Sequence, residues 1–399
     1  MTTPPPGSGV PAVPDPGSGS GPGRDYARSD LEAMFAQQLH EAFRALGCFN
    51  LAVFGKTGVG KSTLVNAIFG REVAQTGLGR PVTRGLVYYR HPDGFLGLYD
   101  SEGFETGTSG DAILGGLRRL VDEHRTRPVD ERIHAAWYLV RWSDRRFEDR
   151  QAEFVRALDA LGLPVVVVLT QVPSRDGVPH PEAVELARYI EDLRLPLRPQ
   201  GRVVLTNALP DAFTGAPVFG LRELLDATYA VVPEAASRAL TAAQVLDLER
   251  KRQAARSIVA QAVAVAAGIG ATPIPFADAA LLVPNQVTMI ARLTAAYGLP
   301  PQRSRALAAA GAVVLTGGAT MAGRYAVTSL LKVVPGGVVA GSAISAGVAG
   351  SLTKAVGVAW SRVCEHALVL DAGEREKFLS GPGVRDLFLA YLRKPDGTR

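Results

Sequence analysis

Length, composition and charge set the first limits on this chain of 399 residues. Charged residues make up 20% and apolar residues 47%, which indicates a globular protein large enough for two or three domains. Two cysteines, Cys48 and Cys364, exclude a disulfide framework and favour a reducing, cytosolic setting. Residues 240–399 hold 17 basic and 9 acidic side chains. This surplus suits an anionic membrane surface, nucleic acid or solubility alone, and no nucleic-acid motif accompanies it.

The N-terminal segment has two parts of different composition. Residues 1–24 are almost entirely proline, glycine, serine and other small residues, without the apolar segment of a secretory signal, so we predict a disordered tail. Ser29 and Glu32 then form a capping-box pattern, and apolar residues follow at helical spacing. This pattern predicts an amphipathic helix over residues 25–47 that leads into the first strand.

The sequence GKTGVGKST follows the apolar run FNLAVF and precedes a helical pattern. It matches the phosphate-binding motif GxxxxGK[ST] in the strand–loop–helix context that this motif requires. Lys61 is predicted to neutralise β- and γ-phosphate oxygens, and Ser62 to offer its hydroxyl to Mg²⁺. A glycine-rich turn that fits by chance is the weaker alternative. The predicted nucleotide contacts in this loop are Gly55, Lys56, Thr57, Gly58, Val59, Gly60, Lys61, Ser62 and Thr63.

Strand and helix patterns alternate over residues 48–235. They predict an α/β domain with a mostly parallel sheet of six strands. The runs GLVYYR and FLGLYD are separated only by HPDG, which is too short for a crossover helix, so one strand must be antiparallel.

Two further segments between residues 80 and 103 suit Mg²⁺ and a γ-phosphate. The second strand of the hairpin ends in DSEG, where Asp100 can hold Mg²⁺ through water and Gly103 can bring its N–H to the phosphate. The polar loop GRPVTRG carries Thr83, whose hydroxyl and carbonyl can close over both groups. An ordinary loop threonine is the alternative for Thr83.

These segments carry a family resemblance. GKTGVGKST, PVT and DSEG resemble the P-loop, first switch and second switch of Ras-like GTPases of the translation-factor class, in particular the Era-type bacterial members. The resemblance covers about residues 48–232 and implies GTP or GDP with Mg²⁺ as ligands. It implies catalytic roles for Lys61, Thr83 and Gly103, and metal-binding roles for Ser62, Thr83 and Asp100.

The base-reading segment departs from the family pattern. The family uses N/T-K-x-D after the fifth strand, whereas this chain reads TQVP, with Thr170 and Gln171 aligned and Pro173 in place of the aspartate. By the resemblance, Asn207 and Ala208 offer backbone N–H groups to the base after the sixth strand. Asp176 is an alternative source of the missing carboxylate.

The residue after Gly103 is a second departure. It is Phe104, where Ras-like hydrolases place the glutamine that orients the attacking water. An apolar ring cannot orient water, so we expect slow or partner-dependent hydrolysis. Glu102, Glu105, an activating partner or a second copy of the chain are the alternative sources of the missing group.

The C-terminal part changes composition after a basic helical linker predicted at 236–256. Long stretches without charge, rich in alanine, glycine and valine, lie at 257–277, 306–323 and 333–353. Their length suits a membrane span, whereas their composition and prolines favour a close-packed bundle. We predict an all-α domain over 257–399 in a cytoplasmic protein, and leave peripheral or integral contact with the inner face of the cell membrane open.

A second resemblance covers about residues 255–365. GATPIPFADAALLVPNQVTMIARLTAAYGL resembles an uncharacterised bacterial helical domain that also occurs in YcjF-type inner-membrane proteins, and it implies no function. Asp278 within it is interpreted as a helix cap. His134 and His366 have no second ligand at metal spacing, so we expect no metal other than Mg²⁺.

Together these observations favour a GTP-dependent switch. Slow, Mg²⁺-dependent hydrolysis would change the state of two switch segments, and the helical domain or a partner would sense it. The alternative is a degenerate G domain that binds nucleotide without hydrolysis and serves as a binding or scaffold module. An ATP-using P-loop enzyme is a third, less favoured interpretation.

Overall fold

The computed structural model describes most of the chain. The described residues are 28–70, 80–83, 86–91, 94–101, 110–124, 126–211, 215–270, 277–299 and 341–393. The predicted tail at 1–24 and the uncharged stretch at 306–323 lie outside these ranges, as does part of the stretch at 333–353.

Short apolar runs form the strands of a central sheet. They are β1 (Phe49–Phe54), β2 (Arg80–Thr83), β3 (Leu86–Arg90), β4 (Leu96–Ser101), β5 (Ala135–Arg141) and β6 (Val165–Thr170), a separate small hairpin of β7 (Ser174–Arg175) and β8 (Val178–Pro179), and β9 (Val204–Leu205). The main sheet has the order β2-β3-β4-β1-β5-β6-β9. Within this described sheet only β3 runs against its neighbours.

The predicted mostly parallel sheet with one antiparallel strand is confirmed, and β2 adds a seventh strand at its edge. This short strand contains Pro81, and proline is tolerated at an edge because its missing N–H breaks no inner ladder.

Helices cover both faces of the sheet and continue beyond it. They are α1 (Arg28–Leu46), α2 (Lys61–Phe69), α3 (Gly110–His124), α4 (Asp149–Ala160), α5 (Pro181–Asp192), α6 (Leu221–Val231), α7 (Glu234–Ala243), α8 (Leu248–Gly270), α9 (Ala277–Ala296), α10 (Gly341–Val369), α11 (Ala372–Ser380) and α12 (Gly383–Arg393). Residues from α3, α4 and α5 pack on one face of the sheet, and residues from α2, α6 and α7 pack on the other. All six residues of β1 are buried, as expected for a central parallel strand with both faces covered.

The N-terminal helix α1 belongs to the core of the C-terminal helices. Leu31, Phe35 and Leu39 are buried in one cluster with residues of α8, α9, α10, α11 and α12. In addition, the hydroxyl of Thr288 on α9 donates to the side-chain oxygen of Gln38 at 2.8 Å. In the sequence, the sheet and its helices therefore lie between α1 and the helices that α1 packs against. We call α1 together with α8, α9, α10, α11 and α12 the helical part. The domain limits predicted from composition remain predictions.

Small residues bring the long helices of the helical part close together. A Cβ atom added to Gly357 of α10 would lie 2.7 Å from Val259 Cγ2 of α8 and 2.9 Å from Met289 Sδ of α9. Such an approach leaves no room for a side chain, which explains why helices rich in alanine and glycine pack here. Among the helices that the structure describes, none has the length and apolar character needed to cross a membrane.

The basic segment at the start of α8 is largely used within the protein. Arg250 pairs with Asp226 and Asp247, Arg252 donates two hydrogen bonds to Glu365 at 3.0 and 2.9 Å, and Arg256 pairs with Glu249. The fourth basic residue, Lys251, is buried. The arginines of this segment therefore form ion pairs within the chain, while Arg256, with a side-chain exposure of 67%, stays in contact with solvent.

Lys251 ties helix ends from both parts of the chain together. Its Nζ donates to Ala242 O, at the end of α7, at 2.8 Å and to Tyr297 O, just after α9, at 3.0 Å. Burial lowers the pKa of Lys251 to about 7. The two carbonyl oxygens lie at the negative ends of their helices, which is a favourable position for an ammonium group.

The glycine on α10 gives a direct test of the close packing. We expect Gly357→Leu to lower the free energy of unfolding by about 1–3 kcal/mol, because the new side chain overlaps Val259 and Met289. The measurement is chemical denaturation followed by circular dichroism. Gly347→Leu is the matched control on the same helix, since no atom of the residues that the structure describes lies within 4 Å of its added Cβ. Equal destabilisation by both variants would contradict the packing argument.

His134 gives a test at the opposite end of β1 from the glycine loop. Its Nδ1 accepts from Asn50 N at 2.9 Å and its Nε2 lies 2.8 Å from Val129 O, which fixes the neutral ring with the proton on Nε2. Burial is the main cause of a pKa below the usual 6.5. The unfolded chain therefore binds the proton more readily, and His134 should reduce stability as pH falls below about 6.5.

This stability loss should grow as the pH falls from 6.5 toward the folded-state pKa of His134. We expect His134→Gln to flatten the pH dependence in denaturation experiments carried out from neutral to mildly acidic pH. His40 is exposed on α1, and His40→Gln should leave the dependence unchanged. A His134→Gln variant with the wild-type pH slope would rule out this linkage.

Candidate functional site

The loop between β1 and α2 bends on three glycines. Gly55, Gly58 and Gly60 have φ values of 147°, 79° and 96°, which L-residues with a Cβ rarely adopt. At Gly55 a Cβ would also lie 2.7 Å from Leu139 O. Gly60 is the N-cap of α2 and no side chain caps this helix end. The loop therefore leads directly to helix-start N–H groups, an arrangement suited to an anion.

The side chain of Lys61 folds back over this loop. Its Nζ donates to Gly55 O at 2.9 Å and lies 3.4 Å from Lys56 O. Thr57, Gly58 and Ser62 are exposed, whereas Val59 is buried. The loop thus presents an ammonium group, a hydroxyl and helix-start amides, which suits the phosphates of a nucleotide.

Two side chains at the end of β6 form hydrogen bonds with the loop. The Thr170 hydroxyl donates to Val59 O at 2.7 Å, and the Gln171 side-chain amide donates to Gly58 O at 3.1 Å. Thr170 is buried and its hydroxyl is also 3.4 Å from Val140 O. We call the first two contacts the loop brace, because they fix two consecutive carbonyl groups of the loop.

The structure places Asp100 close to the strand that carries the loop. Asp100 pairs in register with Val53 of β1 and with Val87 of β3, and the next residue, Ser101, donates through its hydroxyl to Val53 O at 3.3 Å. Asp100 as a whole is partly buried. Its position at the end of β4 fits the predicted role near a metal ion.

The remaining switch residues are described only in part. The backbone of Thr83 lies in β2 and pairs with Leu86, while the structure does not describe its side chain. Gly103, together with Phe104, lies outside the described residues. Their predicted roles stay predictions.

The segment after β9 differs from the prediction in one respect. Asn207 N donates to Phe219 O at 2.8 Å, and its side-chain amide donates to Pro217 O at 2.9 Å. The backbone N–H of Asn207 is therefore used to close the loop that returns at Phe219 and is not offered to a base. This corrects the predicted role of Asn207 and leaves Ala208 as the candidate from this pair.

Sequence reasoning missed a contact on the other side of the loop. Lys56 Nζ lies 3.2 Å from Glu148 Oε1, and Arg146 Nε lies 3.2 Å from the same oxygen. Glu148 also begins α4 in a capping box with Gln151. The spacing of Glu148 and Gln151 resembles a capping box and could have identified the helix start, although nothing local to it indicates Lys56 as a partner.

A glycine loop follows the central strand β1 of a mostly parallel sheet, and a lysine folds back over this loop. An aspartate lies at the end of the neighbouring strand β4. These features define a P-loop nucleotide-binding domain. Residues 50–171 match the family described as 50S ribosome-binding GTPase, and residues 235–379 match a domain of unknown function, DUF697. The α/β domain is thus a P-loop GTPase domain, followed by helices. The Era-type and YcjF-type parts of the resemblance stay predictions.

Solved structures show distant likeness. The bacterial selenocysteine-specific elongation factor EF-Sec is 18% identical, with a TM-score of 0.28, over 46% of this chain and 28% of that chain. A dimerization-deficient mutant of Toc33 from Arabidopsis thaliana is 18% identical with a TM-score of 0.32, over 54% of this chain and 95% of that chain. At these values neither likeness supports a conclusion about function. No curated protein matches the chain.

The loop brace predicts a specific effect on binding. Thr170→Val keeps the shape of the side chain but removes the hydroxyl, so Val59 O loses its donor and the loop is less well fixed. We expect nucleotide affinity to fall by roughly 5- to 10-fold, equivalent to about 1–1.4 kcal/mol, in calorimetric titrations.

The matched control is Thr206→Val. Thr206 is also buried, and its hydroxyl donates to Leu169 O at 3.2 Å and not to a carbonyl of the loop. Both variants should lose a similar amount of stability, but only Thr170→Val should lose affinity. Equal affinity losses would show that the effect comes from general destabilisation.

Proposed function

We propose that this protein is a Mg²⁺-dependent GTP-binding switch that hydrolyses GTP slowly. The observation that carries the proposal is the braced glycine loop with the Lys61 ammonium group 2.9 Å from Gly55 O. A lysine ammonium group and the first N–H groups of α2 on one glycine loop are the donors that a phosphate group requires. The GTPase family match over residues 50–171 supports guanosine nucleotides, GTP and GDP, as the ligands.

The residues present suit a magnesium ion. The exposed Ser62 lies in the first turn of α2, and the partly buried Asp100 is the residue before the last in β4. Their side chains carry oxygen atoms of the kind that Mg²⁺ prefers as ligands. In the proposal these two residues and Thr83 hold the ion, which would neutralise charge on the phosphates. Lys61 and the helix-start N–H groups bind the phosphate oxygens directly.

Slow hydrolysis follows from the residue after Gly103. Phe104 has no group that can orient a water molecule, so the protein's own turnover should be low. A homo-oligomer or an activating partner that supplies a polar group to the site would raise it. A degenerate domain that binds nucleotide without hydrolysis is the alternative, and turnover measurements distinguish the two.

In the proposal, the helical part responds to whether GTP or GDP is bound. Val245 N, in the linker between α7 and α8, donates to Ile68 O near the end of α2 at 2.9 Å, so the helix that starts at the phosphate loop contacts the linker directly. Arg222 of α6 also pairs with Asp247 of the same linker at 2.9 Å. These contacts give a short physical route from the loop to α8.

The proposal also includes peripheral contact of the helical part with a membrane surface. Two observations bear on it. Arg250, Arg252 and Arg256 each already pair with an acidic side chain of the same chain, whereas Val265 on the uncharged half of α8 is 52% exposed. Contact at the cytoplasmic face would therefore depend on apolar side chains more than on charge.

The test of the proposed function uses Lys61. We expect Lys61→Ala to abolish binding of GTP and GDP in calorimetric titrations with Mg²⁺, because the loop loses its cation for the phosphates. Lys354 is exposed on α10 and far in sequence from the loop, so Lys354→Ala is the control and should bind as the wild type does. Unchanged binding by Lys61→Ala would reject the assigned site.

Hydrolysis is measured on the same proteins by phosphate release. Thr83→Ala should keep nucleotide binding and lower turnover, since the predicted role of Thr83 concerns the γ-phosphate. Wild-type protein that binds GTP but releases no phosphate above background would favour the non-hydrolysing alternative.

A further inference from the structure

The segment after β6 holds the phosphate loop but has few groups left to recognise a base. We infer that the site selects its ligands by their phosphates and binds guanosine and adenosine triphosphates with similar affinity. This inference rests on the proposed nucleotide site. It concerns which nucleotides that site accepts.

The position that would carry a base-reading carboxylate carries proline. Pro173 has no polar side chain, and the preceding Val172 is fully buried. Pro173 O accepts from His180 N at 2.9 Å, which closes the base of the β7–β8 hairpin. The turn at 172–173 therefore serves the hairpin and offers no acceptor for the ring N–H and amino group of guanine.

The two polar side chains that precede Val172, those of Thr170 and Gln171, are already engaged. Thr170 and Gln171 form the loop brace, with their donors 2.7 and 3.1 Å from the carbonyl oxygens of Val59 and Gly58. Releasing Thr170 to a base would take the 2.7 Å donor away from the carbonyl of the buried Val59. Thr170 and Gln171 therefore fix the phosphate loop and do not read a base.

The nearest alternative carboxylate is at the tip of the hairpin. Asp176 and Gly177 have φ values of 53° and 77°, as in the two-residue turn that such hairpins favour. Asp176 is exposed, and the paired residues of β7 and β8 separate it from Gln171. The Asp-Gly sequence is explained by the turn.

The segment after β9 offers little discrimination either. The backbone N–H of Asn207 donates to Phe219 O, and its side-chain amide donates to Pro217 O. Leu209, two residues on, is 61% exposed and presents an apolar surface. Contact of an apolar side chain with the face of a purine ring does not depend on the exocyclic groups that distinguish guanine from adenine. Over residues 170–180 and 204–211, the structure therefore favours binding of purines without strong base selection.

The experiment compares GTP, ITP and ATP, each with Mg²⁺, by calorimetric titration of the full chain at one salt concentration. ITP lacks the exocyclic amino group of guanine. We expect the three dissociation constants to agree within about threefold, whereas a carboxylate that accepts two hydrogen bonds from guanine gives roughly a hundredfold preference or more. GTP binding at least about 30-fold tighter than ATP binding would overturn the inference and leave the proposed function intact.

The two proposals fail in different ways. If none of the three nucleotides binds, the proposed nucleotide site itself is wrong. If all three bind equally to the wild type and none binds to Lys61→Ala, the phosphate loop is the site and both proposals are supported. Equal binding that persists in Lys61→Ala would place the ligands elsewhere and overturn both.

Two variants test the residues named. Pro173→Asp restores a carboxylate at the base-reading position and should raise the ratio of GTP to ATP affinity at least about 10-fold, and an unchanged ratio in a folded variant would contradict the assignment of this position. Asp176→Asn keeps the turn and should not change the ratio. A selective loss of GTP affinity in Asp176→Asn would identify Asp176 as the base reader and overturn the inference, even if Pro173→Asp does not fold.

Discussion

The backbone conformation of the glycine loop is the constraint on which the arrangement of the residues around the proposed nucleotide site depends. Its positive φ values at Gly55, Gly58 and Gly60 set the path of the loop, and the carbonyl groups of Gly58 and Val59 face side chains of the protein. A carbonyl turned inward must find a donor. Thr170, Gln171 and the Lys61 ammonium group supply donors. The loop geometry therefore determines which residue types can follow β6, whatever base the site accepts.

The connection between the two parts of the chain follows from how the sheet is inserted. Because α1 shares a core with the C-terminal helices, the α/β domain is attached to the helical part at both of its ends. The ring of Phe43 near the end of α1 stacks on Phe95 beside β4, with centroids 5.9 Å apart. At the other end, α7 packs on the sheet while Lys251 of α8 bonds its last turn. Two attachments restrict relative motion more than one linker does, so a change in the α/β domain has few ways to be absorbed without moving the helices.

Local sequence patterns predicted the elements that local forces determine. The glycine motif between an apolar strand and a helix identified the loop, and HPDG identified the antiparallel pair β3–β4, because turn length limits how two strands can connect. The patterns did not show that α1 packs on α9, since Gln38 and Thr288 lie 250 residues apart. They also did not show that Asn207 N–H bonds Phe219 O. Both depend on tertiary packing, and β2 was missed because four residues at an edge carry almost no periodic signal.

The helical part shows why composition alone left membrane insertion and close packing open. A helix rich in alanine and glycine gains less free energy on entering lipid than one rich in larger apolar residues. The same small residues also let neighbouring helices approach each other closely. Only the neighbours of each small residue distinguish the two cases. At Gly357 those neighbours are Val259 and Met289 from two other helices, so the missing side chain is accounted for by protein atoms. At Val265 the side chain is half exposed, and nothing within the described helices fully covers it. The same uncharged sequence thus contains residues that build the bundle and residues on its surface, and only the former are explained by packing inside one copy of the chain.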